Sequence, residues 1–297
     1  MKTSGKKEIR AEFLRIADAA VLAAFLEAST EKPGNVTPTH SFKDTAYQDY
    51  VKGAIALGSA VRESAERGYL AGKGEIGMED IGIGRPILKG VRDVRRSHKG
   101  GNTHLGMLML MVPIAAASGM CIAEGKGFSS PRGKIKKVVH ESTKEDSRNL
   151  CKAIKASRAG GIDTLIEKDL TFNELMKYSR EKDRIAQELS GGMEILFRHG
   201  IPFFERSYAK KRDIRTALLQ TYLFLLSRFP DTFIAKKEGM RKAREVSEKA
   251  KDTLSGKLSL AEFDKYLRSN GNSLNPGTTA DLAAAVTMLY ILKETVF

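Results

Sequence analysis

Leu105-Gly-Met-Leu-Met-Leu-Met-Val-Pro-Ile-Ala-Ala-Ala-Ser-Gly-Met-Cys-Ile-Ala123 runs for nineteen residues without a charge, and its reading decides what kind of protein this is. A stretch of that length can cross a bilayer. Gly106, Pro113 and Gly119 interrupt it, and much of its apolar content is alanine. It therefore reads as a core helix buried on all sides by other protein. A helix of that kind needs a shell of amphipathic helices around it.

The flanking sequence supplies that shell. From Glu8 to Glu27, apolar residues fall at Ile9, Phe13, Ile16, Ala20, Leu22, Phe25 and Leu26, mostly at three- and four-residue steps. The same period predicts helices over 45–67, 85–98, 104–118, 146–158, 171–181, 183–199, 213–228, 233–253, 259–269 and 278–295. Gly68, the run His199-Gly200-Ile201-Pro202 and the pair Phe229-Pro230 read as stops. Thr171 with Glu174, and Ser259 with Glu262, have the spacing of capping boxes. Strands are scarce: only Gly133–His140 could form one, and no strand–helix alternation suggests a Rossmann or barrel fold. The expectation is one all-α domain over 1–297, a bundle of about ten or eleven helices. A long flexible loop is expected over about 124–146, polar and carrying Gly125, Gly127 and Gly133.

Composition narrows the class. The 297 residues hold 50 Lys and Arg against 36 Asp and Glu, a net charge of +14, with 41% hydrophobic and 29% charged residues. That balance argues against global disorder and against an integral membrane protein, and it predicts attraction for something anionic. Cys121 and Cys151 form no CxxC pair and read as small buried hydrophobes in a reducing compartment. Met1–Arg10 is basic, but Arg15 and Asp18 break the apolar run a secretion signal needs. The expectation is a cytoplasmic protein with no membrane association.

Three loops concentrate glycine, proline, side-chain amides and isolated charges. In Glu27–Val36, Lys32 has the reach for a phosphate and Gly34 the freedom for close backbone approach; the same residues also read as a helix C-cap and turn. In Lys99–Gly106, Gly100, Gly101, Asn102 and Thr103 precede the core helix, suiting an anion or ribose site or a plain N-cap. In Asn275–Asp281, Thr278 or Thr279 would cap the last helix and Asp281 would sit in its first turn; capping leaves the clustering of Asn275, Pro276 and Gly277 unexplained. Basic runs at Arg92–Lys99 and Lys236–Arg244 have helical spacing and suit phosphates as well as solvent. No histidine zinc spacing, Walker motif or serine-hydrolase elbow is present. Mg²⁺ arriving with a nucleotide would suit Glu27, Asp44 and Asp281.

Taken in order, these segments resemble the triphosphoribosyl-dephospho-CoA synthase family over nearly the whole chain. The matching residues are Glu27 with Lys32-Pro33-Gly34 and Val36; His40 and Asp44; Gly100-Gly101-Asn102-Thr103 and Gly106; Ala153-Ile154 with Gly160-Gly161; Asp183-Arg184-Ile185-Ala186; Pro230-Asp231-Thr232 with Lys237 and Gly239; and Asn275–Leu282. Leu105 stands where bacterial members often have Lys, Glu31 where they often have Pro, and Ala46 where a second Asp is common. These departures resemble an outlying, archaeal-type branch.

The resemblance implies that the ribose C1′ of ATP is attacked by the 2′-hydroxyl of dephospho-CoA or a similar nucleotide-like acceptor, with adenine leaving. It also implies roles. Glu27, Asp44, His104 and Asp281 are the catalytic set, with Asp44 and Asp281 on Mg²⁺. Lys32, Gly34, Gly100, Gly101, Asn102, Thr103, Asp231, Lys236, Lys237, Asn275, Gly277, Thr278 and Thr279 bind nucleotide and phosphate. ATP and a CoA-like acceptor are the expected partners, and a homodimer is open. Two alternatives stand beside it: a ribosyl transferase for another archaeal cofactor, and a basic helical nucleic-acid-binding protein. The second is poorly served by 7% aromatic residues and no Trp.

Overall fold

The computed structural model describes residues 2–125, 128, 131–158 and 169–295. At its centre lies α4 (Leu105–Ala123), long and apolar enough for a membrane but 89% buried inside the protein. Helix α2 (Tyr47–Gly72) crosses it at backbone contact. A Cβ on Gly68 would lie 1.9 Å from the Ala116 carbonyl oxygen, and one on Gly119 would lie 2.0 Å from that of Ala65. Only glycine fits at either crossing point, and Ser64 pins them by donating to the Val112 carbonyl at 2.7 Å.

Around this pair stand α1 (Lys2–Ser29) and α3 (Gly84–Ser97), then α5 (Pro131–His140), α6 (Lys144–Ser157), α7 (Phe172–Ser179) and α8 (Arg184–Gly191). The chain continues through α9 (Ile201–Lys211), α10 (Ile214–Arg228), α11 (Thr232–Glu238), α12 (Met240–Leu254), α13 (Leu260–Arg268) and α14 (Gly277–Thr295). One large apolar core joins α1–α6 with α14. A smaller one, built on Tyr222, Leu226, Ile234, Val246, Phe263 and Leu267, ties α10–α13 together. The fold is all-α among the described residues, apart from one isolated β-bridge between Thr37 and His40.

The fourteen α-helices among the described residues exceed the ten or eleven expected, for three local reasons. The expected flexible loop and strand candidate contain α5, whose Ile135, Val138 and Val139 are buried at helical spacing beneath a lysine-rich outer face. The expected stop at 199–202 instead begins α9. Pro202 lies in its first turn, where a missing N–H costs nothing. Gly200 is there for packing, because a Cβ would meet Val286 at 2.4 Å. The run 233–253 is cut by Gly239 at φ 87°, separating α11 from α12. The stretch 183–199 also breaks, at Gly192 and Met193 with φ 72° and 55°. Beyond that break, a π turn over Leu196–Gly200 begins at two amides that the buried Glu188 carboxylate accepts, Ile195 at 3.0 Å and Leu196 at 2.9 Å. Both expected capping boxes form, at Thr171 and at Ser259. Cys121 and Cys151 are buried free thiols. Gly127, Gly160 and Gly161 lie outside the described residues.

Candidate active site

Four helices begin at one place. The first turns of α4, α8, α11 and α14 all line a cavity of about 660 Å³, closed on its other sides by the end of α1, the start of α2 and the faces of α6 and α7. Helix N-termini carry a partial positive charge that favours anions, and here buried carboxylates answer it: Asp281 accepts from Met107 of α4, Asp183 from Ala186 of α8, and Asp231 from the first turns of α11 and α14.

Carboxylates occupy the floor. Glu27 ends α1 and is 3% exposed, Asp183 caps α8 through the Ala186 amide at 3.0 Å, and Asp281 stands in the first turn of α14. All three open onto the cavity. Asp281 lies against the backbone of α4. It accepts from the Met107 amide, and a Cβ on Gly106 would sit 2.0 Å from its Oδ2. Its carboxyl is pushed well above the carboxylate range, first by burial and then by the charges of Glu27, Asp231 and Asp183. The Tyr50 phenol from α2 lines the cavity with them. It is pushed far above its ordinary range by burial and by Glu27, Asp281 and Asp44.

The lining is also basic and partly apolar. Lys236 and Lys237 of α11 belong to it. Lys237 lies 4.2 Å above the Phe233 ring and donates to the Asn272 carbonyl at 3.3 Å. Burial lowers its ammonium, while the nearby Asp44 and Glu238 act against that. Asp44, Gly101, Asn102, Thr103, Asn275, Gly277 and Thr278 also face the cavity. Met107, Met109, Leu150, Ile154, Met176 and Ile185 line it as well, with Arg158 and Lys182.

Six expected ligands are placed elsewhere. Lys32 is 1% exposed, and three acceptors take up its ammonium: the Glu27 and Thr30 carbonyls and, at 3.0 Å, the Glu27 carboxylate. It caps α1 and orients Glu27, with no donor left for a phosphate. Gly34, at φ 78°, turns the loop away, and its amide donates to Asp264 at 2.8 Å. Gly100 holds Arg95 through its carbonyl. Asp231 is 2% exposed and accepts from the amides of Phe233 and Ile234 and from the amide and hydroxyl of Thr279, at 2.7–3.2 Å. It and Thr279 therefore lock α11 to α14. His104 lies behind Thr103 rather than in the cavity, bonded to that hydroxyl at 2.6 Å and slotted over Gly53. Burial, with His98 adding to it, pushes its imidazole down to about 3. A ring held neutral at physiological pH is no acid for a leaving group.

Sequence reasoning passed over Asp183, Tyr50, Asn35, Thr232, Arg158 and Lys182, all of which line the cavity. Asp183 was visible as the start of the Asp-Arg-Ile-Ala segment. Tyr50 sits in an amphipathic pattern that looks like any core aromatic, and nothing local marks Arg158 or Lys182.

For a metal, no three His, Cys, Asp or Glu side chains form a cage among the described residues. The charges that act most on Asp281 are Glu27, Asp231 and Asp183, not Asp44; Asp44 acts instead on Lys237. Asp44 and Asp281 both line the cavity, and both act on the Tyr50 phenol. Carboxylates beside lysines suit a cation that arrives on phosphates and keeps its own waters.

Comparison with known proteins gives the family. The family model described as CitG, ATP:dephospho-CoA triphosphoribosyl transferase, matches residues 13–296. A relative from Streptococcus equi named as a probable 2-(5''-triphosphoribosyl)-3'-dephosphocoenzyme-A synthase is 25% identical, over 89% of this chain and 91% of its own. The Pectobacterium atrosepticum protein of that name is 27% identical over 65% of this chain and 60% of its own. A crystal structure from Archaeoglobus fulgidus, provisionally assigned to the same synthase, aligns with a TM-score of 0.64 at 24% identity, covering 81% of this chain and 97% of that one. That likeness shows a shared fold. Taken with the family match along nearly the full length, the chain belongs to the ATP:dephospho-CoA triphosphoribosyl transferase family.

Proposed function

We propose that this transferase moves the triphosphoribosyl group of ATP onto the 2′-hydroxyl of dephospho-CoA and releases adenine. The observation that carries the reading is one cavity lined both by clustered carboxylates and by lysines, bordered by the first turns of four helices. In the reaction, the acceptor oxygen bonds to C1′ as the C1′–N9 bond breaks, and that electron pair leaves with adenine. The ribose carbon becomes oxocarbenium-like on the way, a charge that adjacent carboxylates stabilise. Asp281, held toward its acid form by its surroundings, donates a proton to the departing base. Glu27, aimed by Lys32, takes the proton of the attacking hydroxyl.

Lys236 and Lys237 hold phosphates. Asp44 meets the Mg²⁺ that travels with the triphosphate, an ion that neutralises phosphate charge. The Met- and Leu-lined wall with Arg158 and Lys182 suits the other substrate's phosphates and long pantetheine arm. Met side chains adapt readily to such an arm. Buried free thiols at Cys121 and Cys151 fit work in a reducing cytoplasm.

Incubation of pure protein with Mg-ATP and dephospho-CoA tests the reading. Free adenine with a matching mass gain on the acceptor is the expected result. ATP left intact with dephospho-CoA and with other CoA-like acceptors would overturn it.

A further inference from the structure

The first turn of α11 and the loop before α14 form a corner of the cavity that phosphate binding and proton transfer leave unused. Asn275 carries the clearest sign. Its side chain is 9% exposed and lines the cavity, yet its buried Oδ1 has no hydrogen-bond partner. Leaving such an oxygen unpaired costs about 1–3 kcal/mol, so a native protein keeps one where something else supplies the donor. Phe233 gives the second sign. It is among the few large apolar side chains left exposed, at 38%, and it too lines the cavity. Gly277 does not crowd the ring, and a Cβ there would only make ordinary contact at 3.5 Å. Lys237 lies above the ring, and Lys236 is one residue away.

We propose that this corner is an adenine pocket, in which Phe233 stacks on the base and the Asn275 amide reads its edge. An amide offers one acceptor and one donor, and adenine answers with its exocyclic amine and a ring nitrogen. A base with a carbonyl in place of the amine puts acceptor against acceptor. The lysines beside the ring then meet the 5′-phosphoryl group of the same nucleotide. This rests on the proposed reaction for its ligands, and both substrates carry adenosine 5′-phosphoryl chemistry, so the experiment must tell them apart.

Binding is measured by calorimetry for Mg-ATP, Mg-ITP and dephospho-CoA, on wild type, Asn275→Ala and Phe233→Leu. Phe233 is exposed enough that its variant folds, and circular dichroism checks both. Either substitution should weaken one adenine-bearing ligand about 10- to 100-fold and leave the other within about twofold. If the affected ligand is ATP, Asn275→Ala also erases the preference of ATP over ITP, and the pocket belongs to the donor. If it is dephospho-CoA, the pocket belongs to the acceptor. Unchanged affinity for both ligands in both variants would overturn the pocket, even if adenine is still released. Conversely, tight ATP binding lost in Asn275→Ala, with no adenine released by wild type, would keep the pocket and remove the reaction.

Discussion

Two loops in this protein look alike in sequence and behave oppositely. Lys32-Pro33-Gly34-Asn35 follows α1, and Asn275-Pro276-Gly277-Thr278 leads into α14. Each sets a polar side chain before a Pro-Gly turn, and the two pack together, with a Cβ on Gly34 only 3.1 Å from the Pro276 ring. In the first loop the side-chain donors and the Gly34 amide are spent within the protein. Lys32 is taken up by α1, Gly34 by Asp264, and Asn35 by the Pro33 carbonyl and the Tyr222 hydroxyl. In the second, the Asn275 oxygen is unpaired and Thr278 faces the cavity. The lesson is that residue type nominates a ligand, and what remains unbonded decides whether it is one.

The strongest way to break that contrast is through Asp281, the open loop's carboxyl. Asp281→Asn keeps shape and removes the proton donor. Adenine release followed by chromatography should fall about 10³-fold or more, with the thermal midpoint close to wild type. A loss under about tenfold would mean that Asp281 serves only the first turn of α14.

Lys32 predicts the reverse pattern. Lys32→Met leaves Glu27 buried without its cation and uncaps the end of α1. Urea denaturation should show a loss of about 3–5 kcal/mol, whereas Asn275→Ala, which removes an already unpaired oxygen, should stay within about 1 kcal/mol. A Lys32→Met protein as stable as wild type but weak in ATP binding would make Lys32 the phosphate ligand after all.

Glu188 extends the comparison to a second enclosed carboxyl, this one away from the cavity. Burial pushes it up to about 7, against the pull of the Ile195 and Leu196 amides and Arg184. A raised carboxyl binds its proton more tightly in the folded state than in the unfolded chain. Its stabilising contribution is therefore complete below the ordinary value near 4.5 and is lost as pH rises through about 7. Glu188→Gln fixes the uncharged form, so its stability should fall less than that of wild type between pH 5 and 8, by roughly 1–3 kcal/mol. Parallel melting curves across that range would show that Glu188 is charged throughout.

How much of this was legible in sequence follows from the same contrast. Period and breakers revealed most helices, because a buried face leaves a three- and four-residue signature. They failed where packing overruled a breaker, as at Gly200 and Pro202, or where a charged surface hid a buried stripe, as at Ile135, Val138 and Val139. Asp281, Glu27, Asn102 and Lys237 could be nominated from their motifs and do meet in one cavity. Lys32, Asp231 and His104 were nominated on equal grounds and do not face it: Lys32 is taken up by Glu27 and Thr30 at its own helix end, Asp231 by Thr279 48 residues away, and His104 by the Thr103 hydroxyl next door, and residue type alone does not show which contact wins. Gly106 is the clearest case. Sequence showed a glycine in a motif, and only the structure shows that Asp281 occupies the space of its missing side chain.

The smallest expected effect isolates the two turns themselves. Gly34 sits at φ 78°, and a Cβ there would meet Leu267 at 2.8 Å as well as Pro276. Gly277 has an ordinary backbone and no neighbour nearer than 3.5 Å. Gly34→Ala should therefore cost about 1–2 kcal/mol from left-handed strain alone, with Leu267 forced to shift besides. Gly277→Ala, at the first position of a helix, should be neutral or slightly stabilising, within about 0.5 kcal/mol. Denaturation midpoints for the pair check both. Equal costs would mean that the closed loop is no more tightly specified than the open one, and the division between a loop spent on the fold and a loop kept for a ligand would fail at its base.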